Sequence, residues 1–229
     1  MKTIGLLGGV SWESTAIYYR LINRAVNARL GGYHSAKIAL YSYDFTDMEL
    51  LARTAQWEAL AGRLIDGAQR VQRAGADMVV MCANTMHHEA EAVARAVPLP
   101  LPHICDCTAA KIKADGLKRV SLLGTRYTME EDFYKARLKA NGLDVFVPDD
   151  ADRKTVHRVI FGELVQGRVE PASRAAYREL IARQVEKGAE GIILGCTEIP
   201  MLIGPEDSAV PLYDTTELHA LAAVEAALA

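Results

Sequence analysis

The sequence predicts an α/β protein made of two similar lobes, each built on a parallel sheet of the four-stranded type. Three observations support this fold class: short apolar runs recur along the chain, helical patterns lie between them, and the whole layout occurs twice. Regular alternation of strands and helices favours parallel sheets with right-handed crossovers. The repeated layout then predicts two lobes of one architecture.

Eight apolar runs have the length expected of buried strands. Because nearly every position in them is apolar, we expect these strands to be buried. The runs are residues 4–7, 38–43, 78–82, 101–104, 120–123, 145–147, 192–194 and 210–213.

Helical periodicity is clearest in two of the intervening segments. Residues 14–30 carry apolar side chains at helical spacing and stop at Gly31. Residues 54–74 show the same spacing and stop at Gly75. Each segment is long enough to cross back over a sheet between two parallel strands.

The internal repeat consists of three matches in the same order along the chain. The matched segments are residues 2–9 with 118–125, 75–85 with 188–198, and 104–108 with 212–216. Because the last match repeats a segment that follows the first lobe, we expect the chain to return to that lobe near residue 208. The expected lobes are residues 1–98 with 208–229, and residues 99–207.

Composition restricts the classes of partner. The 229 residues include 26 Lys and Arg against 29 Asp and Glu, and the formal charge is −3 without any basic run. This charge pattern argues against nucleic acid and against an anionic membrane surface as partners. The chain has neither 18 consecutive apolar residues nor a cleavable signal at its start, so we expect a cytoplasmic protein with a small-molecule partner.

The candidate binding positions follow the predicted strands. Ligands of open parallel sheets bind at the carboxyl ends of strands, where backbone N–H groups are available. Small hydroxyl and amide side chains at these ends suit a carboxylate, so the sequence predicts a site for an amino acid or organic acid. The segments at strand ends are residues 8–11, 83–85, 124–125 and 196–198.

Cysteine placement singles out one thiol. Cys196 stands at a strand end, where a following helix would lower its pKa and make it a base or nucleophile; packing as a small apolar side chain is the alternative. Cys82 lies one residue before Ala83, the position that the repeat aligns with Cys196. Because side chains alternate along a strand, we expect Cys82 to point the other way and to pack.

Longer motifs occur in order along the chain and resemble the cofactor-independent aspartate/glutamate racemase family. The first is similar to the GGMSWEST-like opening of one subgroup, with valine at position 10 in place of methionine. The resemblance covers nearly the whole chain. The matching segments are residues 8–15, 30–36, 84–87, 122–129, 194–200 and 214–220.

The resemblance implies two pseudo-symmetric lobes with the active site between them, proton transfer at Cα without PLP or metal, and a homodimer. In two-cysteine relatives one thiolate removes the α-proton, and a thiol on the opposite face supplies another. The second-lobe cysteine of the family maps onto Cys196, but the first maps onto Ala83. Alanine neither gives nor takes a proton.

Four explanations for Ala83 stay open at this stage. Cys82 turns inward and replaces the lost cysteine, or water or a hydroxyl such as that of Thr85 serves this face. Alternatively, the enzyme performs one-base chemistry, as single-cysteine decarboxylase relatives do, or Ala83 is an engineered replacement of a cysteine.

The resemblance also implies which residues hold the substrate. The expected contacts to the α-carboxylate and amino group are Ser11, Asn84, Thr85, Thr125 and Thr197, with Glu198 toward the ammonium. Arg53 is the nearest candidate for a distal carboxylate, while a lysine that some relatives place before a glycine is Gln166 here. If Arg53 faces solvent, we expect a broader or different range of amino acids.

The leading hypothesis is therefore an isomerase, a PLP-independent racemase of aspartate/glutamate-type substrates with Cys196 as its acid and base. One alternative is a one-base lyase or decarboxylase on a small carboxylic acid. Another is a non-catalytic binding protein for acidic amino acids.

Overall fold

The computed structural model describes residues 1–229, which form two compact units. The first unit comprises Met1–His103 with His219–Ala229, and the second comprises Ile104–Leu218. None of the helices combines the length and apolar content that a membrane span requires.

The first unit alternates strands and helices around a three-stranded sheet. Its sheet has the order β2-β1-β3 with all strands parallel, and Ile4 pairs with both Ile38 and Met78. One face of the sheet packs on α3, and the other packs on α1 and the C-terminal helix. The elements are β1 (Ile4–Gly8), α1 (Trp12–Leu30), β2 (Ile38–Ser42), α2 (Phe45–Arg53), α3 (Trp57–Arg73), β3 (Met78–Met81), a 3₁₀ helix (Thr85–Glu89) and α4 (Ala90–Ala96).

The second unit has a four-stranded parallel sheet in the order β5-β4-β6-β7. Apolar clusters cover both of its faces, and the predicted strands are buried. Its helices are α5 (Ile104–Ala114), α6 (Arg126–Glu130), α7 (Asp132–Ala140), α8 (Asp150–Gly162) and α9 (Pro171–Glu186), and its strands are β4 (Arg119–Gly124), β5 (Asp144–Phe146), β6 (Gly191–Gly195) and β7 (Leu212–Asp214). Short 3₁₀ helices span Leu164–Gln166, Ile199–Met201 and Pro205–Asp207, and α10 (Thr215–Leu228) re-enters the first unit at His219.

Seven of the eight predicted strands form, and residues 101–104 do not. The Val79 N–H donates to the Pro100 carbonyl over 2.9 Å, so the chain begins to pair with β3. The next donor facing β3 would belong to Pro102, which has no N–H. In the second unit the Ile192 N–H donates to Pro211 in the same way, but Tyr213 carries an N–H and β7 forms. The first sheet therefore has three strands instead of four.

The third match of the repeat was misaligned by three residues. Ile104 begins α5, and its counterpart at the start of α10 is Thr215 rather than residue 212. The Asp214 carboxylate accepts the Thr216 and Glu217 N–H groups at 2.8 and 3.2 Å and so caps α10, whereas Asp106 lies inside α5.

For the same reason the observed units differ from the expected lobes, which were residues 1–98 with 208–229 and residues 99–207. Residues 212–214 pair with β6 in the second unit, so the chain returns to the first unit at His219 and not near residue 208. The other exchange falls at Ile104, where α5 begins.

Candidate active site

The carboxyl end of β6 carries the conspicuous thiol. Gly195 is the register partner of Gly124 on β4, and a Cβ added to Gly195 would lie 2.9 Å from the Leu123 carbonyl oxygen. Glycine is therefore required where the two strand ends approach most closely. Cys196 and Thr125 each follow one of these paired glycines, so the second sheet brings them to the same edge.

Cys196 is in direct contact with a carboxylate. Its side chain is buried, with 6% of the residue exposed, and Sγ donates to Oε2 of Glu198 over 3.0 Å. The Thr197 hydroxyl donates to the same oxygen over 2.7 Å. Glu198 is itself buried, so the thiol, the hydroxyl and the carboxylate form one compact polar group.

The environment of Cys196 raises the pKa of the thiol well above its ordinary value. Burial is the main cause, and the adjacent Glu198 carboxylate adds to it, while backbone N–H groups of Glu198 and Thr197 act in the opposite sense. The expectation of a lowered pKa was wrong, because burial and the Glu198 carboxylate outweigh the two backbone N–H groups, and only the short 3₁₀ helix Ile199–Met201 follows the strand. The resting side chain is therefore a thiol.

Tyr177 is a neighbour of Cys196 that the sequence reasoning did not single out. It lies on α9 in the same apolar cluster, and its hydroxyl donates to the Val156 carbonyl over 3.2 Å. Burial is the main cause that raises its pKa, and electrostatic interaction with Glu163 and with the Cys196 side chain acts in the same sense. Its position on the apolar face of α9 was the one signal available in the sequence.

Thr125 caps α6 beside this group. Its Oγ1 accepts the Thr128 N–H over 3.3 Å and lies 3.1 Å from the Thr128 hydroxyl. The Arg126 N–H donates to Nδ1 of His157 over 3.2 Å, which ties α8 to the same turn. The predicted carboxylate-binding residue thus sits in a turn held by its own hydrogen bonds.

In the first unit, Ala83 is the counterpart of Cys196 and Cys82 faces away from it. Ala83 packs in the same apolar cluster as Val79, and Cys196 packs in the same cluster as Ile192, which the repeat aligns with Val79. Cys82 packs in the cluster on the opposite face of the sheet. Cys82 is fully buried, and burial raises the pKa of its thiol. The explanation in which Cys82 replaces the lost cysteine is therefore wrong in its geometry.

The remaining predicted contacts of the first unit lie at the ends of β1 and β3, which are neighbours in the sheet. Ser11 is buried and caps α1, with its Oγ accepting the Ser14 N–H over 3.4 Å. Asn84 is buried, and half-buried Thr85 begins the 3₁₀ helix. Ser11, Asn84 and Thr85 therefore belong to one edge, as predicted.

A buried histidine supports this edge. His87 Nδ1 lies 2.9 Å from the Ala83 carbonyl oxygen, which accepts only, so Nδ1 carries the hydrogen. Its ring packs against His103 and His219 with centroid distances of 4.7 and 5.3 Å. His87 is buried, and this position became visible only in the structure.

His219 is held in one neutral tautomer. Its Nε2 donates to the Pro102 carbonyl over 2.9 Å, so Nδ1 accepts from the Tyr18 hydroxyl at 2.9 Å. Burial lowers the pKa of His219 to about 4. The imidazole therefore stays uncharged at neutral pH and links α1 with α10.

The candidate residue for a distal carboxylate points to solvent. The Arg53 side chain is 56% exposed at the end of α2 and pairs with Glu49 one helical turn earlier, at 3.4 Å. Gln166 is also exposed, and its Oε1 accepts from Arg168 over 3.0 Å. Neither position supplies a buried cation for a distal carboxylate. Exposure of Arg53 was the case in which the sequence predicts a broader or different range of amino acids.

Comparison with known proteins gives one consistent result. A family model described as Asp/Glu/Hydantoin racemase matches residues 7–223. The broad specificity amino-acid racemase RacX of Bacillus subtilis (strain 168) is 28% identical over 166 residues, which are 72% of this chain and 71% of that protein.

Two solved structures extend the similarity over the full length of both chains. A crystal structure of an Asp/Glu racemase candidate from Yersinia pestis has 49% identity and a TM-score of 0.93. An aspartate racemase homologue from Pyrococcus horikoshii OT3 has 34% identity and a TM-score of 0.88. Both alignments cover 100% of each chain.

Proposed function

Because the chain belongs to the Asp/Glu/hydantoin racemase family and is an isomerase of small amino acids, we propose that it inverts Cα without a cofactor and that Cys196 moves the proton. The contact between the Cys196 thiol and the Glu198 carboxylate at the end of β6 is the observation that carries this proposal. A proton donor and acceptor at a strand end, beside capped turns with hydroxyl and amide groups, suits an amino-acid carboxylate.

The substrate carboxylate and amino group are assigned to the strand-end residues. As the family resemblance implies, we assign the α-carboxylate and amino group to Ser11, Asn84, Thr85, Thr125 and Thr197, with Glu198 toward the ammonium. In this arrangement the Cys196 thiol protonates one face of the planar Cα intermediate, and the resulting thiolate takes the proton back in the reverse direction.

The other face of Cα lacks a side-chain acid at position 83. We assign proton transfer there to water or to the Thr85 hydroxyl, both of which are weaker acids than a thiol and are far less ionised near neutral pH. The reaction is therefore asymmetric: exchange with solvent on the Cys196 face outpaces inversion. A cytoplasmic location and a homodimer remain predictions from the sequence and the resemblance.

We extend the substrate range beyond aspartate and glutamate to neutral amino acids. The exposed position of Arg53 supports this extension, because its guanidinium is already paired with Glu49 in solvent. The Bacillus subtilis relative is a broad specificity amino-acid racemase, which agrees with a range that includes neutral amino acids.

Proton NMR in D₂O tests the function directly. We expect loss of the Cα proton signal from L- or D-aspartate, glutamate and alanine with the native protein, and a decrease of about 10³-fold in this rate for Cys196→Ser. Cys107→Ser is the matched control, since Cys107 is a half-buried cysteine inside α5, and it should retain the native rate.

Other outcomes would replace the proposal. Full exchange in Cys196→Ser would remove the proposed role of the thiol. Loss of CO₂ from a small carboxylic acid would establish the decarboxylase alternative, and calorimetric binding of amino acids without any exchange would establish a binding protein.

A further inference from the structure

Two hydrogen atoms converge on one carboxylate oxygen at the end of β6. Oε2 of Glu198 lies 3.0 Å from Sγ of Cys196 and 2.7 Å from Oγ1 of Thr197. Glu198 is 3% exposed, so the carboxylate is largely withdrawn from solvent. Both donors are neutral, and a carboxylate accepts hydrogen bonds from them more strongly than a neutral oxygen does.

A buried thiol must lose its proton before it can act as a base on Cα. Water has little access to Cys196, and the hydrogen bond of its sulfur runs to Oε2 of Glu198. Tyr177, which is close enough to interact electrostatically, uses its hydroxyl hydrogen on the Val156 carbonyl. The carboxylate of Glu198 is therefore the acceptor in hydrogen-bond contact with the reacting sulfur.

We propose that Glu198 is the proton acceptor and donor for Cys196, so that the two side chains act as one acid–base unit; this inference rests on the proposed function. The sequence-based role of Glu198 concerned the substrate ammonium, and the new role concerns the proton of the thiol. Thr197 is a positioning residue, because its hydroxyl orients the carboxylate oxygen toward Sγ.

In the proposed proton transfer from Cys196 to Glu198, each bond that forms is matched by a bond that breaks. The S–H bond breaks as an O–H bond forms on Oε2, which leaves a thiolate and a neutral Glu198. The thiolate then forms a new S–H bond with the Cα hydrogen, and the electron pair of the broken C–H bond passes into the substrate carboxylate. In reverse, the thiol protonates Cα and the proton on Oε2 returns to sulfur. When Cα is instead protonated from its other face, the proton on Oε2 leaves to water, which restores the carboxylate beside the thiol.

Glu198→Gln tests the pair, because glutamine keeps the shape of the side chain and loses its charge. We expect kcat for Cα exchange to fall about 10²-fold or more, while any rise in KM reports the separate contact of Glu198 with the substrate ammonium. We also expect the thiol to become more acidic, since a negative charge beside it is removed. Alkylation of Cys196 by iodoacetamide at about pH 8 should therefore accelerate, as measured by the mass of its peptide.

A lower kcat together with faster alkylation of Cys196 distinguishes proton transfer from other roles of Glu198. A purely structural role would leave the pH profile of alkylation unchanged or expose every cysteine alike. A role confined to the ammonium would raise KM and preserve kcat, and that result would overturn the inference. Retention of both kcat and the alkylation profile would also overturn it.

A second variant covers the case in which Glu198→Gln does not fold. Glu198→Asp retains a carboxylate but shortens it by one methylene, so we expect a native-like alkylation profile together with a lower kcat. An Asp variant with native kcat would contradict the need for contact at 3.0 Å. Thr197→Val should lower kcat by less than about 10-fold, because the carboxylate is kept and only its orientation is loosened.

Failure of the proposed function is distinguishable from failure of this inference. If the native protein exchanges no Cα proton, the racemase proposal fails, and the alkylation profiles of native protein and Glu198→Gln still decide whether the thiol and the carboxylate are coupled. Exchange by the native protein that survives in Glu198→Gln would leave the racemase intact and refute the pair.

Discussion

The ends of β3 and β6 occupy corresponding positions in the two units and carry different chemistry. The repeat aligns Ala83, Asn84 and Thr85 with Cys196, Thr197 and Glu198. In both sheets a short 3₁₀ helix follows the strand end. The β6 end has a thiol bonded to a carboxylate, whereas the β3 end has a methyl group and a hydroxyl at the same two positions. The β3 end therefore lacks both the thiol and the carboxylate, and not the cysteine alone.

The support behind each strand end differs as well. The Ala83 carbonyl accepts from His87, whose ring packs against the neutral imidazole of His219. At the β6 end the Leu194 carbonyl accepts from the Thr215 hydroxyl instead. The repeated backbone sets where polar groups stand in each unit, while single side chains decide which chemical groups each strand end carries.

Acidification should weaken the β3 end through His219. The imidazole has an ordinary pKa of 6.5 in the unfolded chain and about 4 in the folded one, so between these values the unfolded state binds more protons. The free energy of unfolding should therefore fall by about 3 kcal/mol as the pH drops from about 6.5 to about 4. Urea unfolding across this range measures the loss.

His219→Gln is the matched control for this loss. Glutamine cannot be protonated and can still donate to the Pro102 carbonyl, so the decrease within this pH window should become smaller by the same amount. Equal pH slopes in the native protein and the variant would show that His219 does not titrate on unfolding.

Restoring a thiol at the β3 end should reduce the asymmetry between the two ends. We expect Ala83→Cys to raise the rate of inversion about 10²-fold, equivalent to about 2.7 kcal/mol, because a positioned thiol is a better proton donor than water. Circular dichroism of L- and D-enantiomer mixtures follows inversion directly. Ala83→Ser adds an atom of similar size without the thiol and should change the rate much less.

No gain in Ala83→Cys would contradict the equivalence of the two ends. A gain in exchange without a gain in inversion would mean that the new thiol reaches the substrate but does not protonate the second face.

The smallest effect is expected at Cys82, which lies beside Ala83 in sequence but on the other face of β3. Cys82→Ser places a hydroxyl in an apolar cluster and should cost about 1 kcal/mol of stability. Exchange at Cα should stay within about 2-fold of the native rate. A large loss of exchange with a native urea midpoint would place Cys82 in the reaction after all.

Seven strands and the equivalence of Ala83 with Cys196 could be predicted, because each depends on local apolar patterns and on one ungapped match. The missing strand at 101–104 also had a local signal, since Pro100 and Pro102 remove donors from one edge. The return of the chain at His219 was less accessible, because it depends on β7 pairing with β6.

The site was predicted less completely than the fold. Cys196, Thr125 and Ser11 were placed correctly at strand ends by pattern. Arg53 was chosen by resemblance, and only the packing of α2 shows that its side chain lies in solvent. His219 lies at the other end of the chain from its partner Tyr18, and no local pattern links the two.

The sequence by itself determined the alternation of strands and helices, the repeat, and the presence of a cysteine in one copy with alanine in the other. These features are local, because periodicity and residue identity need no knowledge of distant contacts. Tertiary structure decided that Cys196 is a thiol hydrogen-bonded to Glu198 and that His219 is neutral. It also decided that Arg53 forms an ion pair with Glu49 at the surface. Protonation state and side-chain direction depend on desolvation and on partners, and folding alone brings those together.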